Sequence, residues 1–359
     1  MRQEEREQEE FSRYLGPDPW CVDRVRHDGE VFTVTGWALA PGGRHEEVTF
    51  RLNGREFERI EYPMPSAYLA QAFTFREDAK LSAFTCSSRV TRATAYPNGH
   101  AELTCASTTS PGPSQRCAFY YPDDRVGSPL PDVERQRRVA GGGIGEAFLL
   151  VGCSIFVGLE KVLGSIYGMR YDDFSAMLDW GCGCGRLTRY FVGRVRPTIT
   201  GVDIDRDNVD WCVANLPFGT FATVPLHPPT RLPDGAFDLL VGISVFTHLQ
   251  EMDQTAWLAE LSRLARPGAV LLMTTHGTAA AVRSGMSLTQ LRDWTRLGMV
   301  YYPGDSNLQG YIADDGYYGT SYVTPEFIRQ RWTRYFAVDA ILPGYVNHHH
   351  DLVVMRKSR

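Results

Sequence analysis

The chain has no paired C-x-x-C spacing among its eight cysteines, and that absence excludes a zinc ribbon. Cys21, Cys86, Cys105, Cys117, Cys153, Cys182, Cys184 and Cys212 are scattered and read as reduced thiols. There is no basic, aromatic-interleaved tract, and a net charge of −5 offers nucleic acid no general attraction. No apolar run reaches the length expected of a membrane span. Met1 to Glu10 is strongly charged and lacks the apolar core of a secretory leader, so the expected location is cytoplasmic. What is present suffices for two domains: 359 residues, of which 43% are apolar and 22% charged.

The texture changes along the chain. Residues 1–19 predict a charged N-terminal arm, helical or frayed, that Pro17 and Pro19 terminate. Residues 20–121 predict a β-sandwich-like domain. Val31, Thr33, Thr35 and Trp37 alternate with other residues, as do Val48, Phe50 and Leu52, and Asn53-Gly54 is a hairpin signal. Shorter runs follow at Gln71–Phe75, Phe84–Val90, His100–Thr104 and Cys117–Tyr121. No catalytic cluster is evident there, since His27, His45 and His100 stand alone. Residues 122–146 read as a linker closed by Gly141-Gly142-Gly143, and residues 147–359 as a second domain opening with the helical period of Phe148 to Gly168.

The chemistry gathers around Met177-Leu178-Asp179-Trp180-Gly181-Cys182-Gly183-Cys184-Gly185-Arg186. An apolar strand runs into a glycine turn that lets backbone approach a ligand. Leu187, Tyr190 and Phe191 then predict a helix whose first N–H groups would face an anion. Twenty residues on, Thr198 to Asp203 reads as a second strand ending in a carboxylate that can accept both hydroxyls of a ribose. Further strands are expected at 220–224, 236–243 and 269–275, with an antiparallel pair at 336–342 and 351–355. The helix carrying Trp257, Leu258, Leu261 and Leu264 should end at Pro267-Gly268, and Asp205 should cap the helix before the third strand.

The G-x-G-x-G turn with Asp179 before it and Asp203 after it resembles the first motif of the class I S-adenosylmethionine (SAM) dependent methyltransferases. The Phe246-Thr247-His248-Leu249 element, a Tyr-rich insertion and the final Asp-Leu-Val-Val strand resemble bacterial members of cell-surface polysaccharide and secondary-metabolite pathways. His349-His350 before Asp351 departs from that pattern, in which a Gly-Gln type turn is expected. The resemblance implies an α/β, Rossmann-like seven-stranded domain with its last strand antiparallel, preceded here by the β-sandwich-like domain. It implies SAM as cofactor, held by Asp179, Gly181, Cys182, Gly183, Gly185, Asp203, Ile204, Val224, Pro225, Ile243 and Ser244.

His248 and His276 follow the fourth and fifth strands at the carboxyl edge, and either could take a proton from an attacking hydroxyl. For His248, helix capping or pocket shaping is the competing role. The insertion at 280–323 predicts a lid or substrate platform. Its Tyr301, Tyr317 and Tyr318, with Asp305, Asp314 and Asp315 nearby, suit a sugar or a flat metabolite, and His349 is a further substrate candidate. His348-His349-His350 invites a metal, but alternation along a strand lets at most two of the three converge, and no metal is expected. The expected function is O-methylation of a sugar or other small hydroxylated metabolite. N- or C-methylation, another group transfer from SAM, and a non-catalytic scaffold remain alternatives, and the N-terminal domain is a candidate site of homo-oligomer assembly.

Overall fold

The computed structural model describes residues 3–15, 18–107, 118–123, 128–193, 196–304, 308–312, 314 and 316–358; Pro17, Cys117, Asp305 and Asp315 lie outside them. The charged arm is helix α1 (Gln3–Leu15). Eight strands follow: β1 (Trp20–His27), β2 (Val31–Ala38), β3 (Val48–Leu52), β4 (Arg55–Glu56), β5 (Arg59–Met64), β6 (Ala83–Arg89), β7 (His100–Ser107) and β8 (Phe119–Pro122). They make two antiparallel four-stranded sheets, β1-β2-β6-β5 and β4-β3-β7-β8. Alternation sends Phe32 and Val34 of one sheet and Phe50 and Leu52 of the other into a shared core, where Trp20 meets Phe119 edge-on at 5.0 Å. Asn53 and Gly54 both take positive φ and turn β3 into β4.

The run at Gln71–Phe75 is not a strand. Helix α2 (Ala67–Ala72), capped by the Ser66 hydroxyl accepting from the Leu69 N–H at 3.3 Å, ends within it, and the rest is turn. A second short helix, α3 (Arg92–Ala95), sits in the next loop. The stretch read as linker carries helix α4 (Val133–Ala140), started by Asp132, whose carboxylate accepts the Arg135 N–H at 3.0 Å. Helix α5 (Glu146–Tyr167) then ends in a Schellman turn at Gly168, φ +66°. By length and composition α5 could cross a membrane, contrary to the expectation that no run would reach that length. Its most apolar window has mean hydropathy 1.8, and 61% of that window is buried in the fold. The Tyr120 N–H donates to the Ser154 hydroxyl at 2.8 Å, tying β8 to α5.

A seven-stranded sheet contains β9 (Ala176–Trp180), β10 (Thr198–Asp203), β11 (Gly219–Thr223), β12 (Phe237–Gly242), β13 (Ala265–His276), β16 (Ala337–Val346) and β17 (His350–Arg356). Its order is β11-β10-β9-β12-β13-β17-β16. β17 alone opposes the direction of the other six strands, the topology the motif led one to expect. Helices α6 (Arg206–Asn215), α7 (Glu251–Leu264) and α10 (Pro325–Arg331) connect the strands. Two boundaries differ from expectation. After the glycine turn the chain forms turns and one 3-10 segment (Thr188–Phe191) rather than an α-helix. Leu187 to Phe191 are all buried, so the segment lacks the polar face that an amphipathic helix shows to water. Pro267-Gly268 lies inside β13, where a register shift against β12 absorbs it as a bulge.

Between β13 and α10 the insertion folds as α8 (Thr278–Arg283), α9 (Leu288–Leu297) and a two-stranded ribbon of β14 (Met299–Pro303) and β15 (Gly319–Val323). Leu15, Trp37 and Phe73 from the N-terminal region share one buried cluster with Ala280, Leu291 and Trp294. Gly152 of α5 lets the helix lie against the backbone of the turn below it. A Cβ there would stand 2.4 Å from the Arg186 carbonyl oxygen and 2.9 Å from the Tyr190 ring. Gly152→Ala should therefore lower stability by about 1–3 kcal/mol in urea unfolding. Gly158→Ala, whose new methyl would make only an ordinary 3.5 Å contact with Tyr345, should raise it by roughly 0.5–1 kcal/mol.

Candidate active site

The order of strands reverses between β9 and β12, so the loops leaving them diverge and open a crevice at their carboxyl ends. A cavity of about 320 Å³ lies there. Its floor is the glycine turn. Gly181 and Gly183 take φ of +77° and +51°, values open to few residues with a Cβ. The Gly181 and Cys182 N–H groups donate to the Val202 carbonyl at 2.8 and 3.0 Å. The Gly183 N–H donates to the Asp203 carboxylate at 2.7 Å, and the Asp205 N–H to its other oxygen at 2.8 Å. Burial pushes the Asp203 carboxyl up to about 6 despite these donors. Asp179, buried behind the turn, is likewise pushed up to about 6 by burial, opposed by the Thr188 hydroxyl that donates to it.

Ile204, Val224, Leu249 and Trp257 give the cavity an apolar wall. Ile243 and Ser244 line another side, and Ser244 holds φ +60°, strained for a residue with a Cβ, while its N–H donates to the Thr274 hydroxyl at 2.7 Å. Helix α4 forms part of the rim. Its Val139 packs on Gly183, where a Cβ would come within 2.6 Å. Arg138 fixes the helix by donating to Asp205 at 2.8 Å and Asp207 at 2.6 Å, with Tyr311 stacked 3.8 Å from its guanidinium. Asp205 also caps α6, accepting from the Asn208 N–H.

Arg186 lines the cavity and, among the described residues, makes no ion pair or hydrogen bond. Burial lowers its pKa, as expected of a guanidinium with no compensating salt bridge. At the far end His248 donates from Nδ1 to the Gly319 carbonyl (2.8 Å), which leaves Nε2 as the lone-pair nitrogen of the neutral ring, and stacks on Tyr318 at 4.0 Å. His349 and His350 also line this end, with His276 packed behind them. Burial drives His276 and His350 well below the ordinary imidazole range, helped by neighbouring imidazoles, and takes His349 to about 3 with the Arg283 charge adding to the effect.

The cavity thus brings together Asp179, Gly181, Cys182, Gly183, Asp203, Ile204 and Val224 with Ile243, Ser244, His248, Tyr317, Tyr318 and His349. Four candidates are not on its lining. Gly185 faces α6, where a Cβ would meet Leu216 at 2.4 Å. Pro225 follows the wall without joining it, His276 stands in the second layer, and Tyr301 packs on Gly319 behind the ribbon. Arg138, Val139 and Arg186 line it without having been named as site residues, and so does His350, weighed in the sequence only as part of the His348-His349-His350 run. Asp132 ahead of Val-Glu-Arg-Gln-Arg-Arg-Val-Ala was the available signal for α4.

Residues 177–268 match the family model of the methyltransferase domain. Among solved structures, a SAM-dependent methyltransferase from Mesorhizobium loti is 14% identical, with 56% of this chain and 98% of that one covered and a TM-score of 0.38. Human N-acetylserotonin methyltransferase in complex with SAM is 17% identical, with 63% and 56% covered and a TM-score of 0.41. A Burkholderia thailandensis 1,6-didemethyltoxoflavin-N1-methyltransferase is 15% identical, with 67% and 96% covered and a TM-score of 0.39. Likenesses this remote say nothing about an acceptor.

The buried Asp179 carboxyl has a thermodynamic consequence. Between its ordinary value of 3.8 and about 6 the folded state holds more protons than the unfolded one. The stabilising contribution is therefore complete below the lower value and lost as pH rises through the upper one. In denaturant titrations Asp179→Asn should remove a loss of stability, on the order of 3 kcal/mol, that the wild type shows over this window.

Proposed function

We propose that the chain, whose residues 177–268 form a methyltransferase domain, O-methylates a small hydroxylated acceptor with SAM as methyl donor, sugars being the leading class. The observation that carries the proposal is one cavity joining the glycine turn and Asp203 at one end to His248 at the other. SAM, when bound, supplies a methyl group on a positively charged sulfur. The residues fit it: Asp203 would accept from the ribose hydroxyls, Ile204 and Val224 would pack on the adenine, and the Arg186 guanidinium would meet the methionine carboxylate.

His248 is the general base of this proposal. Its Nδ1–H is committed to the Gly319 carbonyl, so Nε2 is the nitrogen that would take the proton of an acceptor hydroxyl. Tyr318, stacked on that ring, keeps its plane, and Tyr317 offers a second aromatic edge, anchored by the Trp257 N–H donating to its hydroxyl at 3.0 Å. Aromatic faces beside polar groups suit the CH surfaces and hydroxyls of a sugar. His276 supports this end rather than serving as the base.

Calorimetric titration with SAM and its demethylated product tests the cofactor half. Wild type should bind both, and Asp203→Ala should weaken binding at least about tenfold. Affinity should also decline as pH falls through about 6, because the hydroxyl donors favour the ionised Asp203 carboxylate. For the acceptor half, His248→Gln should keep SAM affinity while lowering kcat on hydroxylated acceptors about 100-fold or more. An unchanged kcat, or methyl appearing on nitrogen or carbon, would overturn O-methylation; intact SAM binding with no transfer to any acceptor class would favour a scaffold.

A further inference from the structure

We propose that His276, His349 and His350 form a binding site for a transition-metal ion of the zinc class at the acceptor end of the cavity. The site stands on its own observations; only its role rests on the methyltransferase proposal above. In the antiparallel register of β13 and β17, His276 lies directly opposite His350. Residues so paired share one face of the sheet, and the two rings stack at 5.0 Å. Strand alternation would send His349 to the other face, but the chain has not yet entered the strand there. Asn347 and His348 both take positive φ, and the turn they make brings the His349 ring to 5.2 Å from His276 and 4.8 Å from His350. Arg283 holds the turn by donating to the carbonyls of Asn347 and His348 at 3.3 and 3.0 Å.

One nitrogen from each ring lies within 4.8 Å of the others. Such a triangle puts its centre at most about 2.8 Å from each nitrogen, so closing to the zinc–nitrogen distance of about 2.0–2.1 Å asks each ring to move by about 0.7 Å. The surroundings suit ligation. The His276 Nδ1 is engaged by the Ser321 carbonyl at 3.1 Å, the outer support that fixes a ligating imidazole and leaves Nε2 for the metal. The His350 Nδ1 is buried with no hydrogen-bond partner, an arrangement that is costly when nothing satisfies it. Burial keeps the rings neutral, the form that binds metals.

Three imidazoles without a carboxylate select zinc, cobalt or nickel over magnesium or calcium, which require oxygen ligands. Three protein ligands with the remaining position open is the arrangement of catalytic rather than structural zinc. Here the open side faces the cavity, since His349 and His350 line it. An acceptor hydroxyl held there would be polarised, and its proton would pass to His248. The acceptor oxygen would then bond the methyl carbon as the carbon–sulfur bond breaks, with that bond's electron pair remaining on sulfur.

The test uses untagged, chelator-stripped full-length protein titrated with Zn²⁺ by calorimetry and with Co²⁺ by visible absorption. One equivalent per chain should bind with submicromolar Kd, and Co²⁺ should give the intense bands of a low-coordinate nitrogen site. His276→Gln, His349→Gln and His350→Gln should each weaken zinc at least about tenfold while leaving SAM affinity within about threefold, which also verifies their folding. His100→Gln, in the N-terminal sheets, should change nothing. Absence of stoichiometric zinc binding to wild type, or binding that survives all three substitutions, overturns the site. Zinc uptake without SAM binding would leave the site standing and remove the methyltransferase proposal; SAM binding without zinc would do the reverse.

Discussion

The active-site half of the molecule depends on main-chain hydrogen bonds that stitch the tips of β9 and β10 together. N–H groups of the glycine turn reach across to the Val202 carbonyl and the Asp203 carboxylate. That reach requires left-handed backbone at Gly181 and Gly183, and both positions are also closed to a Cβ by Val245 and Val139. Asp203 is aimed into the cavity by the same bonds that stitch the strands, and two residues later Asp205 starts α6 and receives Arg138. Position, helix start and rim helix thus descend from one turn.

Much of this was legible in the chain. Strand alternation, the Asn53-Gly54 turn, the Asp179–Asp203 spacing and the Asp205 cap are local signals, each with one short-range physical cause, and apart from the run at Gln71–Phe75 the strands and cap formed where they pointed. What was not legible came from long-range packing. The segment after the glycine turn has helical spacing, yet burial on every side removes the solvent face that spacing presupposes. Helix α4 is rich in arginine and reads as linker; its acidic partners lie some seventy residues on. Convergence of His276 with His349 and His350 depends on a strand register and a left-handed turn, neither of which the His-His-His run encodes by itself.

The N-terminal sheets and the catalytic-edge insertion are also one packed structure. Leu15, Trp37 and Phe73 share a core with Ala280, Leu291 and Trp294, and Glu10 pairs with Arg292 at 2.6 Å. The exposed ion pair adds little to stability, whereas the shared apolar cluster couples the two regions. Helices α8 and α9 are therefore backed by the N-terminal region, and the β14–β15 ribbon that carries the Gly319 and Ser321 carbonyls begins directly after α9.

Helix α4 lies some forty residues ahead of the stretch that matches the methyltransferase domain, yet it walls the same cavity. The working unit therefore starts well upstream of its most diagnostic motif. A fragment cut at β9, the first strand of the seven-stranded sheet, would keep every signature residue and still lack a side of its own binding site, leaving Gly183 open to water and the Asp205–Asp207 pair without its arginine.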